Sequence, residues 1–311
     1  MAFNHEKYIR DTLEGFLAQE TDFAYEVLIN DDASTDRTAE IIREYAQKYP
    51  DIIRPVYQKE NQYSRHIPIF GVHLNPLIRG KYVALCEGDD FWTDPRKLQM
   101  QYDAMECNPD CSMCTHKILQ VNEDGSSRNE YRPSWDLEPG KLDTAGFLEI
   151  RRKYPFHTSS FFMRRELWLE LYRNPPAVRK AADVGDEPIL LYMAAHGKIL
   201  YLPVCMSAYR MFSVGSWSSV YKRDSRRILA HAEKMYEMIR LYDEYTGHQY
   251  DCGLEVVYGH LLWLRGDFRE LAKRKYRPYL RELKISKQAY VYFCSVFPFV
   301  EKLRRDVKWL K

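Results

Sequence analysis

Residues 25–36 read YEVLINDDASTD, and residues 81–90 read KYVALCEGDD. Each stretch starts with a short apolar run of strand-forming residues and ends in a cluster of acidic side chains. Helical patterns lie on both sides of the first stretch, at 6–19 and 37–48. Alternating strands and helices indicate a parallel α/β sheet in the first half of the chain. Ligands of such sheets bind beyond the C-terminal ends of the strands, where both acidic clusters stand.

The chain opens with Met1-Ala2-Phe3-Asn4-His5 and passes directly into a helical pattern. A parallel sheet of this type normally begins with a strand, and only the last residues of one stand here. We therefore expect the first strand to be truncated, which would leave one sheet edge unpaired.

Later segments are assigned on the same grounds. Residues 125–140 are polar and contain Pro and Gly, which predicts a loop. The spacing predicts a helix over 72–79, and strands over Phe156–Phe162 and Lys198–Leu202. From Asp224 onward the pattern is mainly helical.

The composition is that of a globular protein, with 45% hydrophobic and 29% charged residues among 311, which excludes disordered, collagen-like and coiled-coil classes. No stretch is long enough to span a bilayer. Seven cysteines without a secretory signal fit a reducing cytosol. Residues 265–311 carry 14 Lys and Arg against 5 Asp and Glu. This basic end fits either an anionic membrane surface or a solvated helix face. The acidic remainder would repel nucleic acid.

Three acidic clusters are candidates for chemistry. Glu87-Gly88-Asp89-Asp90 places three carboxylates on a tight turn, where they could hold a hard divalent cation or simply be solvated. Asp31 and Asp32 could accept hydrogen bonds from a base or a ribose, or could cap the next helix. Asp183, Asp186 and Glu187 could supply a general base or first-turn acids before Pro188.

The joint order of these motifs resembles the family 2 glycosyltransferases, which have the GT-A fold. The residues that carry the resemblance are Phe3-Asn4-His5-x-x-Tyr8-Ile9, Asn30-Asp31-Asp32-Ala33-Ser34-Thr35-Asp36-x-Thr38, Cys86-Glu87-Gly88-Asp89-Asp90-Phe91-Trp92 and Gly185-Asp186-Glu187. The resemblance implies an α/β fold with a mostly parallel sheet flanked by helices. It assigns residues 1–220 to the transferase domain and 221–311 to a helical, basic extension.

On the donor side, the resemblance places Phe3 and Asn4 against the nucleotide base. Asp32, with Asp31 nearby, matches the acid that contacts the base or the ribose. Arg65, in the loop after Asn61, is a further candidate for the pyrophosphate, although no motif marks it.

On the catalytic side, Asp89 matches the metal-binding acid of the family's Asp-x-Asp element, and Glu87 stands where that element often has its first Asp. Asp90 faces the donor or the acceptor. Asp186 matches the base that takes the proton of the acceptor hydroxyl. The implied cofactor is Mn²⁺ or Mg²⁺.

The resemblance therefore implies an inverting, metal-assisted hexosyltransferase that uses a nucleotide-diphosphate sugar. The implied acceptor is a glycan or a lipid-linked molecule in cell-surface polysaccharide synthesis. Such an enzyme would be cytoplasmic, and its basic end could attach it to the inner face of the membrane. The alternative is a non-catalytic protein that binds nucleotide sugars or glycans and retains the fold.

Three local features stand apart from this match. Many relatives have Tyr-Arg-x-His after the last strand, the His assisting the metal, but this chain has Phe212 in place of that His. The segment 157–160 could be an acceptor-side patch or a polar strand end. Cys107, Cys111, Cys114 and His116 resemble a zinc cluster, although their spacing is irregular and buried thiols explain them equally simply.

Overall fold

The computed structural model describes residues 1–133, 137–211 and 224–298. The chain divides into two compact units. The first consists of residues 1–175 and 189–219, and the second of residues 176–188 and 220–311. The first unit contains all of the described strands, and the second is helical.

A parallel strand pair lies at the start of the first unit. Strand β1 (Val27–Asp31) pairs with β2 (Ile53–Tyr57) over five residues. Ala2 adds a parallel bridge to β1, because its N–H donates to Asn30 O at 2.8 Å and its carbonyl accepts from Asp32 N–H at 2.9 Å. Ala2 thus lies beside β1, where the sequence predicts the end of a strand.

The larger sheet has seven strands within the described ranges. They are β3 (Tyr82–Ala84), β4 (Phe91–Trp92), β5 (Cys111–Val121), β6 (Ser127–Arg132), β7 (Gly140–Leu142), β8 (Phe162–Arg164) and β9 (Lys198–Arg210). Their spatial order is β3-β8-β5-β9-β4, with β6 beside β5 and β7 beside β9. The long pair β5–β9 is parallel, and the other pairs are antiparallel.

The predicted α/β class is confirmed, but the sheet is mixed rather than mostly parallel. Residues 125–140, predicted to be a loop, contain β6 and the first residue of β7. Strand β6 reads Ser-Arg-Asn-Glu-Tyr-Arg, mostly exposed or half-buried, so it shows no apolar alternation. Its partner β5 supplies the buried residues of the pair, and the Asn122–Ser126 turn makes the connection antiparallel.

The helices of the first unit cover its strands. They are α1 (Ile9–Leu17), α2 (Thr38–Lys48), α3 (Lys97–Glu106), α4 (Thr144–Ile150) and α5 (Arg165–Arg173). Helix α1 buries Ile9, Leu13 and Phe16, as its periodicity predicts. It approaches β4 so closely that a Cβ on Gly15 would lie 2.6 Å from Trp92 O. Glycine is therefore required at this crossing.

Two segments differ from their predicted structure. Residues 72–79, predicted to be one helix, contain the end of a π-helical turn (Phe70–Leu74) and a 3₁₀ turn (Asn75–Leu77). The strand predicted over Phe156–Phe162 starts only at Phe162, because a 3₁₀ turn occupies Thr158–Ser160.

The second unit contains the helices that the sequence predicts after Asp224. In chain order the helices that begin after Asn174 are α6 (Ala177–Ala181), α7 (Asp186–His196), α8 (Ser225–Tyr245), α9 (Leu254–Arg265), α10 (Phe268–Leu271), α11 (Arg277–Glu282) and α12 (Ile285–Val296). Helix α7 passes from the second unit into the first after Pro188. Helix α6 packs on α8, and Asp183 Oδ1 lies 2.9 Å from His231 Nδ1 of α8. No helix of the described residues is long and apolar enough to cross a bilayer.

A fully buried lysine lies inside the first unit. Lys97 Nζ donates to Gln101 Oε1 at 2.6 Å and lies 4.1 Å from the centroid of the Trp92 ring. Burial lowers the pKa of Lys97 to about 7. Between about pH 7 and the ordinary lysine pKa of about 10.4, Lys97 is therefore deprotonated in the folded protein and protonated in the unfolded chain.

We predict that Lys97 makes folding stability rise with pH over this window, by up to about 1.4 kcal/mol per pH unit. In Lys97→Met the slope of stability against pH should be smaller by that amount, because residue 97 then carries no titrating group. Urea unfolding at pH 7 to 9.5 measures it, with the exposed Lys59→Met as the matched control. Equal slopes in the wild type and Lys97→Met would contradict the prediction.

Candidate active site

The acidic turn after β3 is built against the first residues of the chain. Gly88 N–H donates to Met1 O at 2.9 Å, and Thr12 Oγ1 donates to the carbonyls of Gly88 and Asp90. A Cβ on Gly88 would lie 2.7 Å from His5 Nδ1 and 2.9 Å from Met1 O. Glycine at position 88 therefore lets the turn lie directly on residues 1–5.

Asp90 is the buried carboxylate of this turn. Its side chain is 1% exposed, and Oδ1 accepts from Arg210 N–H at 2.9 Å. Oδ2 has no hydrogen-bond partner among the described residues and lies 3.8 Å from His157 Nε2. Burial, with the charges of Asp89 and Glu87, raises the pKa of Asp90 well above its usual range. Ionisation of this buried carboxyl group is therefore unfavourable, although the N–H and the charge of Arg210 oppose the shift.

His157 faces this open oxygen. Its ring stacks on Tyr209 with a centroid distance of 4.0 Å, and Nδ1 lies 3.0 Å from Ser159 Oγ. Burial lowers the pKa of His157 to about 3, and the positive charge of Arg132 adds to the shift. The ring is therefore neutral at pH 7, and its contact with Asp90 is not an ion pair.

Glu87, Asp90 and His157 each bring a ligand atom within 4.8 Å of the others. It is the one such group of three His, Cys, Asp or Glu residues in the ranges that the structure describes. Two carboxylate oxygens and an imidazole nitrogen, one oxygen being buried and unpaired, fit a divalent cation. Asp89, matched to the metal by the resemblance, is half-buried on the same turn and outside this group.

Arg210 fixes the acidic turn from the last strand. Its side chain is 2% exposed. Nε donates to Asp89 O at 2.9 Å, Nη1 to Glu123 O at 2.7 Å, and Nη2 to Asp11 Oδ2 at 2.7 Å. With its backbone N–H on Asp90, Arg210 ties β9 to the turn, to α1 and to the β5–β6 connection.

The two acids after β1 have different surroundings. Asp32 Oδ1 accepts from Gln62 N–H at 2.7 Å, and Oδ2 accepts from Tyr63 N–H at 3.0 Å. Asp31 Oδ2 accepts from Ser34 N–H at 3.3 Å, whereas Oδ1 is buried without a hydrogen-bond partner among the described residues. Asp32 thus holds the loop after β2, and Asp31 keeps an oxygen open.

The remaining donor-side candidates lie at the surface. Phe3 is 41% exposed. Asn4 has a positive φ of 55°, and its Oδ1 accepts from Thr35 N–H at 2.8 Å. Arg65 is exposed in the loop that Asp32 holds, and forms an ion pair with Glu60.

Asp186 is the first residue of α7, and its Oδ1 accepts from Glu187 N–H at 2.9 Å. The side chain thus accepts from a backbone N–H of the first turn. It belongs to segment 176–188, which the Asp183–His231 contact and α6 hold on α8.

Sequence reasoning gave no metal role to His157 and no role to Arg210. His157 stood in a segment interpreted as an acceptor-side patch, and Arg210 in the Tyr-Arg pair before Phe212. Both residues stand in motifs of the sequence. Their contacts with Asp90, which precedes His157 by 67 residues and Arg210 by 120 residues, could not be predicted. Phe212 itself lies outside the described residues.

The cysteine motif does not form the zinc cluster that its spacing resembles. All seven cysteines are free thiols. Cys111 and Cys114 are buried in β5, and His116 is buried with Nδ1 2.8 Å from Lys117 O. The interpretation as buried thiols therefore holds for these two residues.

A known protein family and several solved structures resemble much of this chain. The model of the family described as glycosyl transferase family 2 matches residues 1–172. This chain belongs to glycosyl transferase family 2. An uncharacterized protein of Mycobacterium tuberculosis, Rv1520, is 38% identical over 233 residues, which cover 71% of this chain and 60% of the relative. The uncharacterized glycosyltransferase MJ1057 of Methanocaldococcus jannaschii is 30% identical over a stretch that covers 41% of this chain and 42% of MJ1057.

Solved structures show that the family 2 chain has the GT-A fold. Residues 1–349 of TarS from Staphylococcus aureus, in complex with UDP-GlcNAc, have a TM-score of 0.57 at 14% identity, over 90% of this chain and 77% of that solved chain. The mannosyltransferase PcManGT of Pyrobaculum calidifontis, in complex with GDP-Man and Mn²⁺, has a TM-score of 0.54 at 16% identity, over 96% and 85% of the two chains. Identities this low support the fold alone.

We predict that Arg210→Met destabilises the protein by about 3 kcal/mol, because it removes buried charge-assisted hydrogen bonds and leaves the Asp89 and Glu123 carbonyls unpaired. Urea unfolding measures the change. Arg10→Met, which removes an exposed ion pair with Glu44, is the matched control and should cost less than about 1 kcal/mol. Similar costs for both variants would contradict the role given to Arg210.

Proposed function

We propose that this chain is an inverting hexosyltransferase that moves a sugar from a nucleotide-diphosphate donor to a hydroxyl group of a glycan or lipid-linked acceptor. The open, buried Asp90 oxygen carries the proposal, because it faces Glu87 and His157 at the C-terminal end of a strand in a family 2 chain. We assign the transfer to residues 1–220 and treat 221–311 as an extension. TarS and PcManGT, determined with UDP-GlcNAc and with GDP-Man and Mn²⁺, support a nucleotide-sugar donor.

The donor nucleotide would lie beside the end of β1. Phe3 offers an exposed ring for the base, and Asn4 lies next to it. Asp31 Oδ1, buried and unpaired among the described residues, would accept a hydrogen bond from a base N–H or a ribose hydroxyl. Asp32 would act by holding the loop that carries Arg65, whose guanidinium is a candidate partner of the pyrophosphate.

Glu87, Asp89 and Asp90 would hold the divalent cation, Mn²⁺ or Mg²⁺, which supplies Lewis-acid stabilisation of the diphosphate. Asp186 would accept the acceptor's hydroxyl proton. The acceptor oxygen forms the new bond to the anomeric carbon as the bond from that carbon to the diphosphate oxygen breaks. The electron pair leaves with the nucleoside diphosphate, and the configuration at the anomeric carbon inverts.

A release assay tests the function. We expect one nucleotide sugar among UDP-, GDP- and dTDP-linked donors to yield its nucleoside diphosphate with Mn²⁺ or Mg²⁺. EDTA and Asp89→Ala should abolish release, while the exposed Asp51→Ala should not. Absence of release with every donor, even with glycan and lipid-linked acceptors present, would favour the alternative of a non-catalytic binding protein.

For the base, we predict that Asp186→Asn lowers kcat by about 10² to 10⁴ because proton removal is lost. Donor affinity should stay within about threefold, as judged by isothermal titration with the unreacted donor. Glu166→Gln, an exposed acid on α5, is the control. A kcat for Asp186→Asn within threefold of wild type would leave Asp186 with capping alone.

We further propose that the enzyme is cytoplasmic and peripheral on an anionic inner membrane face, where it would serve cell-surface polysaccharide synthesis. Helix α12 supports the contact, because its exposed apolar residues follow one helical stripe: Ile285, Ala289, Tyr292, Phe293 and Val296. Val291 and Cys294 lie on the buried side. Exposed Lys284 and Lys287 precede or flank the stripe, in the basic region 265–311.

Flotation with phosphatidylglycerol vesicles tests this contact. We predict salt-sensitive binding of the wild type, weakened at least about tenfold in Phe293→Glu because a charge enters the apolar stripe. Tyr245→Glu, which changes an exposed aromatic residue on α8, should bind like the wild type. Equal binding of all three proteins, or none by the wild type, would contradict a membrane role for α12.

A further inference from the structure

We propose that His157 is a direct ligand of the divalent cation, together with Asp90 and Glu87, and that its nitrogen makes the site select Mn²⁺ over Mg²⁺. The inference rests on the proposed function, because the cation would serve the proposed sugar transfer. Its evidence is the geometry around Asp90.

The spacing of the ligand atoms fits one ion. Bonds of about 2.1 Å place two ligand atoms of one ion about 3 to 4 Å apart. His157 Nε2 and Asp90 Oδ2 are 3.8 Å apart, which is too long for a hydrogen bond. The ligand atoms of Glu87, Asp90 and His157 all lie within 4.8 Å of one another, so a small adjustment of the exposed Glu87 side chain completes the set.

Asp90 provides an observation independent of the acidic cluster. It is almost fully buried, and Oδ2 has no hydrogen-bond partner among the described residues. A buried polar atom without a partner costs free energy, so a ligand at this oxygen is expected. The atom lies 3.8 Å from His157 Nε2.

The surroundings of His157 hold its ring in the orientation that a ligand requires. Ser159 contacts Nδ1 through its hydroxyl at 3.0 Å and its N–H at 3.3 Å, and Ser159 Oγ lies 2.9 Å from Ser207 Oγ. Tyr209 covers one ring face. Metal binding through Nε2 requires the tautomer with the proton on Nδ1, which then donates to Ser159 Oγ instead of accepting from Ser159 N–H. A partner on the second nitrogen is what metal-binding histidines usually have.

The nitrogen ligand gives the site its selectivity. Mg²⁺ prefers oxygen ligands in near-ideal octahedral geometry and keeps several waters. Mn²⁺ is the first member of the transition-metal series that binds mixed nitrogen and oxygen sites, whereas carboxylate and water ligands suit both Mn²⁺ and Mg²⁺. Loss of His157 should therefore weaken Mn²⁺ binding more than Mg²⁺ binding.

Calorimetric titration of the full chain with each metal, alone and with UDP or GDP, tests the inference. We expect His157→Gln to weaken Mn²⁺ about 10- to 100-fold and Mg²⁺ less than about threefold. His248→Gln, which removes an exposed imidazole paired with Asp243, should change neither. Unchanged Mn²⁺ affinity in His157→Gln, or equal losses for both metals, would overturn the inference, as would no Mn²⁺ binding by the wild type under any condition.

Electron spin-echo spectroscopy of Mn²⁺ bound to the wild type supplies a readout that needs no variant to fold. We expect a directly bound imidazole nitrogen to modulate the decay of the spin echo. Absence of this modulation would overturn the inference. The two proposals fail separately. If Mn²⁺ has a nitrogen ligand but no donor is turned over, only the transferase proposal is contradicted. If turnover depends on Mn²⁺ but the ion has no nitrogen ligand, only the role of His157 is contradicted.

Discussion

The hydrogen bond from Arg210 N–H to Asp90 Oδ1 is the constraint on which the rest of the site depends. It brings the last strand to the acidic turn and buries a carboxylate with one oxygen satisfied and the other open. A buried carboxyl oxygen without a hydrogen-bond partner is unfavourable, so the surrounding structure must hold this side chain in place. Met1, Thr12 and the Arg210 guanidinium do so through contacts with the backbone of the turn.

The same design appears, in a milder form, at the end of β1. Both carboxylate oxygens of Asp32 accept hydrogen bonds from the loop after β2, whereas Asp31 has one buried oxygen without a partner among the described residues. At the end of β1, one acid therefore holds the neighbouring loop and the adjacent acid retains an open oxygen. These two adjacent acids are therefore not equivalent, because Asp32 fixes the position of the loop and Asp31 offers an oxygen for a ligand.

Local elements with an apolar period could be predicted from the sequence. Helix α1, strand β1, helix α2 and the acidic turn after β3 stand close to their predicted positions, since each carries its own periodic or acidic signal. The polar edge strand β6 was missed because its partner supplies the burial. His157 and Arg210 could not be given their roles, because those roles arise only when β8, β9 and the turn after β3 come together. The preference for Asp89 over Asp90 as the metal acid reflects motif position, which does not reveal burial.

Diffraction from crystals grown with Mn²⁺ and the matching nucleoside diphosphate, collected at the manganese absorption edge, tests the central claim most directly. The account predicts one anomalous peak within about 2.3 Å of an Asp90 carboxylate oxygen and His157 Nε2. A peak held by Asp89 and the diphosphate alone, with Asp90 Oδ2 and His157 more than 3.5 Å away, would contradict it.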